Sequence, residues 1–434
     1  MPSTDRRLKA ARLLVGHLAE HLQAPMSIRL WTGEVLPLGP DPTRDVFVAI
    51  NAPEALTRLL RRPSLATLVE LIAAGDFSIE GGTLLDLAAR RGGISRKGLL
   101  KRLDKRLLVR TLWPFLVGAR GQTDESHAYA GAQPERDAAG RDNKALVQFH
   151  YDLSNAFYAL FLDAEMVYSC AYFPSWDASL EDAQAAKLDI ICRKLRLKPG
   201  ERFLDIGCGW GGLVCHAALH YGVEAHGVTL SQAQLDFARK KIRRLGLHDR
   251  VFVELKDYGT VAGEYDKIAS IGMFEHVGLA NRPAYFAKLR DLLRPRGLLL
   301  NHAITRPAKR TESAFRRKRP EYAAIVNYVF PGSELDHIGG SVQALERHGF
   351  EVHDVEGWRE HYARTTRPWC ERLYVQREEA EAEVGAAKTR LWLLYLAGVS
   401  LGFERGTIGI FQTLASKRAR GPSGLPQTRA DLYA

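Results

Sequence analysis

Apolar residues recur at helical spacing from the start of the chain. Leu8, Ala11, Leu14, Leu18 and Leu22 predict an amphipathic helix over 5–24. The pattern then shortens. Residues 27–31 and 46–50 read as strands, separated by a Thr32-Gly33 turn and a Pro-rich loop over 36–42. Helical spacing returns over 55–61, 64–74, 84–90 and 98–117, broken by the Gly/Asp-rich stretch 75–82. Together these predict a small α+β domain over 1–118. Residues 119–143 are rich in Gly, Ala, Asp, Arg and Gln and hold hardly any large apolar side chain, a linker composition. Helices are expected next at 147–151, 156–162 and 180–195. From residue 203 strands (203–206, 225–230, 251–255, 265–271, 297–304) alternate with helices (213–221, 232–245, 282–293). That alternation predicts an α/β domain over 144–434, with a mostly parallel sheet covered on both faces. Ligands in such sheets sit at the carboxyl ends of the strands. A helical region over 377–417 and a frayed, basic tail from Arg418 are expected to follow.

The strand at 203–206 runs into Gly207, Gly209, Gly211 and Gly212, and then into a helix. Glycines there let the backbone turn sharply and approach a ligand with no Cβ in the way. The helix behind them presents unpaired N–H groups. Gly207, Gly209 and Gly212 satisfy the spacing of the dinucleotide fingerprint, and a ligand-free structural turn has the same outline. Two features point elsewhere. Asp205 precedes the first glycine. The next strand ends in Thr229-Leu230-Ser231, where a dinucleotide enzyme usually places a ribose-binding carboxylate. The run Leu204-Asp-Ile-Gly-Cys-Gly resembles motif I of class I S-adenosylmethionine (SAM) methyltransferases.

The 434 residues suit two or three domains, and 46% hydrophobic with 26% charged residues is ordinary for a globular chain. A formal charge of +11 suits a polyanionic partner, either nucleic acid or an anionic membrane surface. No aromatic–basic nucleic-acid signature accompanies it, so no nucleic acid is expected. The basic groups are Arg96, Lys97, Lys101, Arg102, Lys105 and Arg106 on one helix, and a dense insertion over 306–319. The helix face is a ligand site or a solvated surface, and the insertion is a lipid-phosphate grip or a solvated charged loop. Cys170, Cys192, Cys208, Cys215 and Cys370 form no C-x-x-C pair and no zinc spacing, which suits a reducing compartment. The first residues carry Arg6, Arg7 and Lys9 without an apolar core, so no secretory signal is expected. The longest apolar run, 391–403, falls short of the roughly 20 residues a membrane span needs. A cytoplasmic protein, peripheral at the inner face of the membrane, is the expectation.

Glu275 and His276 at one strand end, with His302 near another, suit an acid–base pair or two metal ligands. No third ligand stands at sensible spacing, so no metal is expected. Cys170 is a nucleophile only in an electropositive, partly exposed setting. Tyr168, Tyr172, Phe173, Phe274, Tyr328, Phe330 and Trp369 are either core or the lining of an apolar tunnel whose ring faces stabilise a cation.

Residues 144–417 resemble the cyclopropane fatty acid synthase and mycolic acid methyltransferase family. The resemblance rests on His150-Tyr-Asp-Leu-Ser-Asn155, Tyr168-Ser-Cys-Ala-Tyr172, Leu204-Asp-Ile-Gly-Cys-Gly-Trp-Gly-Gly212, Gly227-Val-Thr-Leu-Ser231, Gly272-Met-Phe-Glu-His-Val-Gly278 and His302-Ala-Ile304. The N-terminal region is more loosely similar to the smaller domain of the long bacterial form. The resemblance implies a class I SAM-dependent methyltransferase fold, Rossmann-like, with a smaller N-terminal α+β domain. It implies a reaction in which a cis double bond of a phospholipid acyl chain attacks the sulfonium methyl, a proton leaves the new methyl, and a cyclopropane ring closes. It places SAM on Tyr168, Ser169, Asp205, Gly207, Gly209, Thr229, Leu230, Gln234 and Tyr258. It also implies a bound bicarbonate as base, held by Glu275, His302, the Tyr362 hydroxyl and backbone at Cys170 and Ile304. The implied partners are an anionic phospholipid surface, its unsaturated acyl chains and a second copy of the chain as a homodimer. Relatives that leave a methyl branch, a methylene or a hydroxymethyl group share the first steps. An RNA methyltransferase and a catalytically inactive lipid-binding protein are the more distant alternatives.

Overall fold

The computed structural model describes residues 2–42, 45–90, 102–117, 153–317, 328–330 and 332–433. The expected linker, the helix expected at 147–151, the His150-Tyr151-Asp152 block and the basic residues Arg96, Lys97, Lys101, Lys318 and Arg319 lie outside the described residues.

The chain separates into two compact units. One comprises Met1–Ala132, Arg319–Val329 and Cys370–Gly398; the other comprises Gln133–Lys318, Phe330–Trp369 and Val399–Ala434. The division is therefore not a single cut near residue 143. Residues 370–398, grouped with the second domain from sequence, cluster with the N-terminal unit. The reason is packing: Leu391 is buried against Val69 and Ala73, and the Arg390 guanidinium donates to the Ala73 carbonyl at 3.0 Å.

The first unit opens with the helix Pro2–Leu22. Strands β1 (Ser27–Arg29), β2 (Val35–Pro37), β3 (Phe47–Ile50) and β4 (Phe77–Glu80) form a mixed sheet in the order β2-β1-β3-β4. Sequence periodicity finds β1 and β3 but reads β2 as loop and β4 as a break. Strands of three or four residues carry too little alternation to be seen alone, and ladder partners decide them. Helices Pro53–Arg61, Leu65–Ala74, Leu84–Ala89 and Lys105–Leu116 complete this unit's described N-terminal portion.

The second unit is built on seven strands: β5 (Arg202–Ile206), β6 (Glu224–Thr229), β7 (Val251–Leu255), β8 (Tyr265–Ile271), β9 (Leu293–Thr305), β10 (Phe350–Gly357) and β11 (Gly409–Lys417). Their order is β10-β11-β9-β8-β5-β6-β7. β5 to β9 run parallel, and β11 lies antiparallel between β9 and β10. The sheet is mostly parallel, as expected. The helical reading of 409–417 is not: those residues are β11. The strand is buried on both faces, so it shows no apolar–polar alternation to mark it. Alternation along β5 sends Phe203 into the core layer holding Ile191 and Val214, and Leu204 and Ile206 into the opposite layer with Phe286 and Leu289.

The tail beyond Arg418 is anchored rather than frayed. Arg429 pairs with the buried Asp354, Arg196 meets Asp431 at 3.0 Å, and Leu432 is buried. Among the described residues no helix is long and apolar enough to cross a membrane.

Candidate active site

The carboxyl ends of β5, β6 and β8 open into a cleft enclosing about 960 Å³, its open mouth included. Tyr168, Ser169, Asp205, Gly207, Gly209, Thr229, Leu230, Gln234 and Tyr258 all line it. The glycine turn shapes its floor. Gly207 and Gly209 adopt φ of 81° and 54°, and the Gly207 and Cys208 N–H groups both donate to the Val228 carbonyl, at 2.9 and 3.0 Å. A Cβ on Gly207 would stand 3.1 Å from Met273 Cγ. We expect Gly207→Ala to cost about 1–2 kcal/mol of stability through its left-handed backbone and to weaken SAM binding. Thermal unfolding and titration calorimetry check both, and unchanged values would contradict this account of the turn.

Thr229 and Gln234 act as a pair. The Thr229 hydroxyl donates to Gln234 Oε1 at 2.7 Å and accepts from the Ser231 N–H at 3.2 Å. That commits the oxygen end of the Gln234 amide and leaves its NH2 end as the donor for a ligand. Tyr258 stands edge-on to Tyr285, with ring centroids 5.2 Å apart.

Lys187 also lines the cleft, and sequence reasoning missed it. Its ammonium donates to the Ser169 hydroxyl at 2.9 Å, and burial pulls its pKa down to about 8. The signal was available. Within Leu180–Lys194, Lys187 and Lys194 sit seven residues apart, on the same stripe as Leu180, Ala183 and Ile191. A lysine on the apolar stripe of a helix announces a buried charge. Asp205 is fully enclosed, its Oδ1 has no partner among the described residues, and burial pushes its pKa up to about 7 against the pull of Lys187.

A second group forms around β9. Glu275, on the helical turn Phe274–Val277, accepts the Ile304 N–H on Oε1 at 2.6 Å. Its Oε2 is buried with no partner among the described residues, and burial pushes its pKa up to about 7. The backbone N–H of Ile304 is thus already engaged by Glu275.

His302 lies on β9 beside Ile271 of β8 and Gln412 of β11. Its Nδ1 is 3.2 Å from Gln412 Nε2, and Gln412 Oε1 accepts from the Lys194 ammonium at 2.8 Å. Burial lowers the Lys194 pKa, while Glu356 in direct contact and Asp354 at 3.9 Å favour the ammonium. An ammonium only donates, so the amide oxygen must face Lys194 and the amide NH2 must face His302. Nδ1 therefore accepts, and the ring proton sits on Nε2. Burial, with Lys187 and Lys194 nearby, keeps the ring neutral by holding its pKa well below the ordinary range. Nε2 has no partner among the described residues and is buried. Neither Lys194 nor Gln412 was picked out from the sequence, because their roles arise only across the ladder.

Tyr362 is buried against Phe403 and edge-on to Trp369, which in turn lies over Tyr168 at 5.2 Å. The Cys170 thiol is enclosed and donates to the Ala171 carbonyl at 3.3 Å. Burial pushes its pKa well up, so it stays a thiol and the nucleophile reading fails. Glu275, His302, Tyr362, Cys170 and Ile304 are not part of the cleft wall, whereas His276, the neighbour of Glu275, is.

Two buried acids make stability depend on pH. Their folded pKa values of about 7 exceed the ordinary 3.8 of Asp and 4.5 of Glu, so the folded chain binds more protons through that window. Their contribution is fully present below the unfolded pKa and is lost as pH rises through about 7. His216 and His302, whose pKa values burial lowers, act in the opposite sense, so Glu275 is read by difference: the wild-type midpoint of the ligand-free protein relative to that of Glu275→Gln should fall between about pH 4.5 and 8. Glu275→Gln should remove its share, on the order of 3 kcal/mol. A variant midpoint that tracks the wild type across that range would refute the assignment.

Residues 139–413 match the model of a family described as mycolic acid cyclopropane synthetase. The chain belongs to that family. This family member is 38% identical over 424 residues to a probable fatty acid methyltransferase of Pseudomonas putida, a match covering 95% of this chain and 98% of that one. It is 37% identical over 268 residues to the cyclopropane-fatty-acyl-phospholipid synthase of Escherichia coli K12, covering 62% and 66% respectively. Among solved structures it is similar to mycolic acid cyclopropane synthase CmaA1 complexed with SAH and CTAB, at 34% identity and a TM-score of 0.59 over 63% of this chain and 98% of that one. The fold of the second unit is accordingly that of the class I SAM-dependent methyltransferases, within a family of fatty-acid-modifying enzymes.

Proposed function

We propose that this chain is a cyclopropane-fatty-acyl-phospholipid synthase, transferring the SAM methyl carbon to a cis double bond of a phospholipid acyl chain, with bicarbonate-assisted proton loss and ring closure. The observation that carries this reading is a pair of buried atoms without partners among the described residues, Glu275 Oε2 and His302 Nε2. One accepts and the other, through the Gln412 relay, donates. A small oxyanion bearing one proton needs that combination, and an empty buried acceptor and donor would each cost free energy without one.

When bound, SAM supplies an electrophilic methyl carbon and bicarbonate a proton-accepting oxygen. The residues of this chain do the rest. The glycine turn, Gln234 and Asp205 fit the cofactor's amino, carboxylate and ribose groups. Glu275 holds an acidic O–H, and neutral His302 presents a fixed N–H. Trp358, edge-on to His302 at 5.1 Å, and Trp369, 5.2 Å from Tyr168, put aromatic rings beside the region, a lining that suits a carbon-centred cation and keeps water out.

One further observation favours a second reading. The Pseudomonas putida relative matches nearly the whole of both chains and carries a fatty acid methyltransferase name. A methyl-branched or methylene product shares the first steps and differs only in the fate of the cation. Methyl-labelled SAM, vesicles of cis-unsaturated phospholipid and proton NMR of the recovered acyl esters separate the two. Ring protons upfield of the methyl region are expected. Label in the lipid without them moves the assignment to the branched or methylene product, and no label in lipid overturns the substrate class.

A further inference from the structure

The helix Lys105–Leu116 in the first unit has an inward face that packs on the helices Pro2–Leu22 and Pro53–Arg61, with Thr111 and Phe115 buried. Its outward face is neither ordinary core nor ordinary surface. Val109, Trp113 and Val117 are 65%, 61% and 63% exposed, and Leu116 is 40% exposed. At that spacing they form one continuous stripe on a single side of the helix. Lys105, Arg106 and Arg110 share the side, and with Val109 and Trp113 they line a shallow groove. These three cations form no ion pair with any described residue. Asp104, just before the helix, caps it by accepting the Arg106 N–H. Exposed apolar surface of this kind marks an interaction site.

We propose that this face docks the protein on a bilayer containing anionic phospholipid. Charge complementarity selects that occupant. An apolar stripe with a tryptophan at its centre suits the headgroup–acyl boundary, and uncompensated cations beside it suit lipid phosphates. A second copy would bring these like charges together, with no acidic residue on the helix to meet them. The inference rests on the lipid-modifying reading for its purpose. Its test does not depend on catalysis.

The full chain is sedimented with extruded vesicles of phosphatidylglycerol and phosphatidylcholine, and with phosphatidylcholine alone. We expect binding to the anionic vesicles that weakens with added salt. Arg106→Gln/Arg110→Gln should lower the partition coefficient about 25-fold, about fivefold for each charge. Trp113→Ser should lower it several-fold, with unfolding midpoints unchanged. Methyl transfer to detergent-dispersed unsaturated lipid should stay at the wild-type rate in the charge variant. Anionic-vesicle binding within twofold of wild type in both variants overturns the proposal, as does a wild type that does not bind. So does conversion of a dimer to a monomer by Trp113→Ser with vesicle binding intact, which would make the face a subunit contact. A wild type that binds vesicles through this helix but methylates no lipid sinks the enzymatic reading and leaves the docking face standing.

Discussion

Glu275→Gln lowers turnover by about 100-fold or more while SAM binding stays near wild type. The scale is that of a lost acid–base contribution. The amide keeps the volume of the side chain and an oxygen for the Ile304 N–H, which Glu275 Oε1 accepts at 2.6 Å. It replaces Oε2 with a donor. On the proposed mechanism, a group that accepts the O–H of a proton-bearing oxyanion is thereby exchanged for one that cannot. SAM binding is spared because Glu275 is not part of the cleft wall. The pH profile carries a second signature. Burial holds Glu275 near pKa 7, so wild-type turnover should rise as pH passes through that value and the group ionises. The Gln variant should lose this limb. Turnover like wild type in single-turnover assays with labelled SAM would remove Glu275 from the chemistry.

Gln412→Leu lowers turnover by about 10- to 100-fold, the range seen when a residue that orients a functional histidine is removed. The substitution deletes the Gln412 donor to His302 Nδ1 and leaves Lys194 to Glu356 and Asp354. The imidazole is then free to place its proton on either nitrogen, so Nε2–H is no longer assured. Nitrogen NMR of the labelled histidines reports this directly. Wild type should show His302 as the Nε2–H tautomer, and the variant a mixture or the reverse. Because Gln412 lies outside the cofactor cleft, the SAM dissociation constant should not move. A lower rate with an unchanged His302 signal would assign Gln412 a packing role and end the relay.

Local pattern alone marks the parallel half of the second unit and the residues that gather in one cleft at its strand ends. Motif I, the Thr229 strand end and the Tyr168 loop are local features. Glycine spacing, strand–helix alternation and a carboxylate placed just before a turn all operate within a dozen residues. Glu275 and His302 were legible as chemistry, because a Glu-His at one strand end and a lone His on another are conspicuous. What the sequence could not supply was which nitrogen of His302 carries the proton, why Glu275 ionises near neutrality, and that 409–417 is a strand. The first and third depend on partners more than a hundred residues away, and the second on burial. The His302–Gln412 contact spans 110 positions and the Lys194–Gln412 contact 218, and both exist only because β11 inserts antiparallel beside β9. Burial is likewise a property of the assembled layers. Local pattern encodes which backbone forms where, but the dielectric around a charge and the tautomer of a ring are set by atoms that only the folded chain brings together.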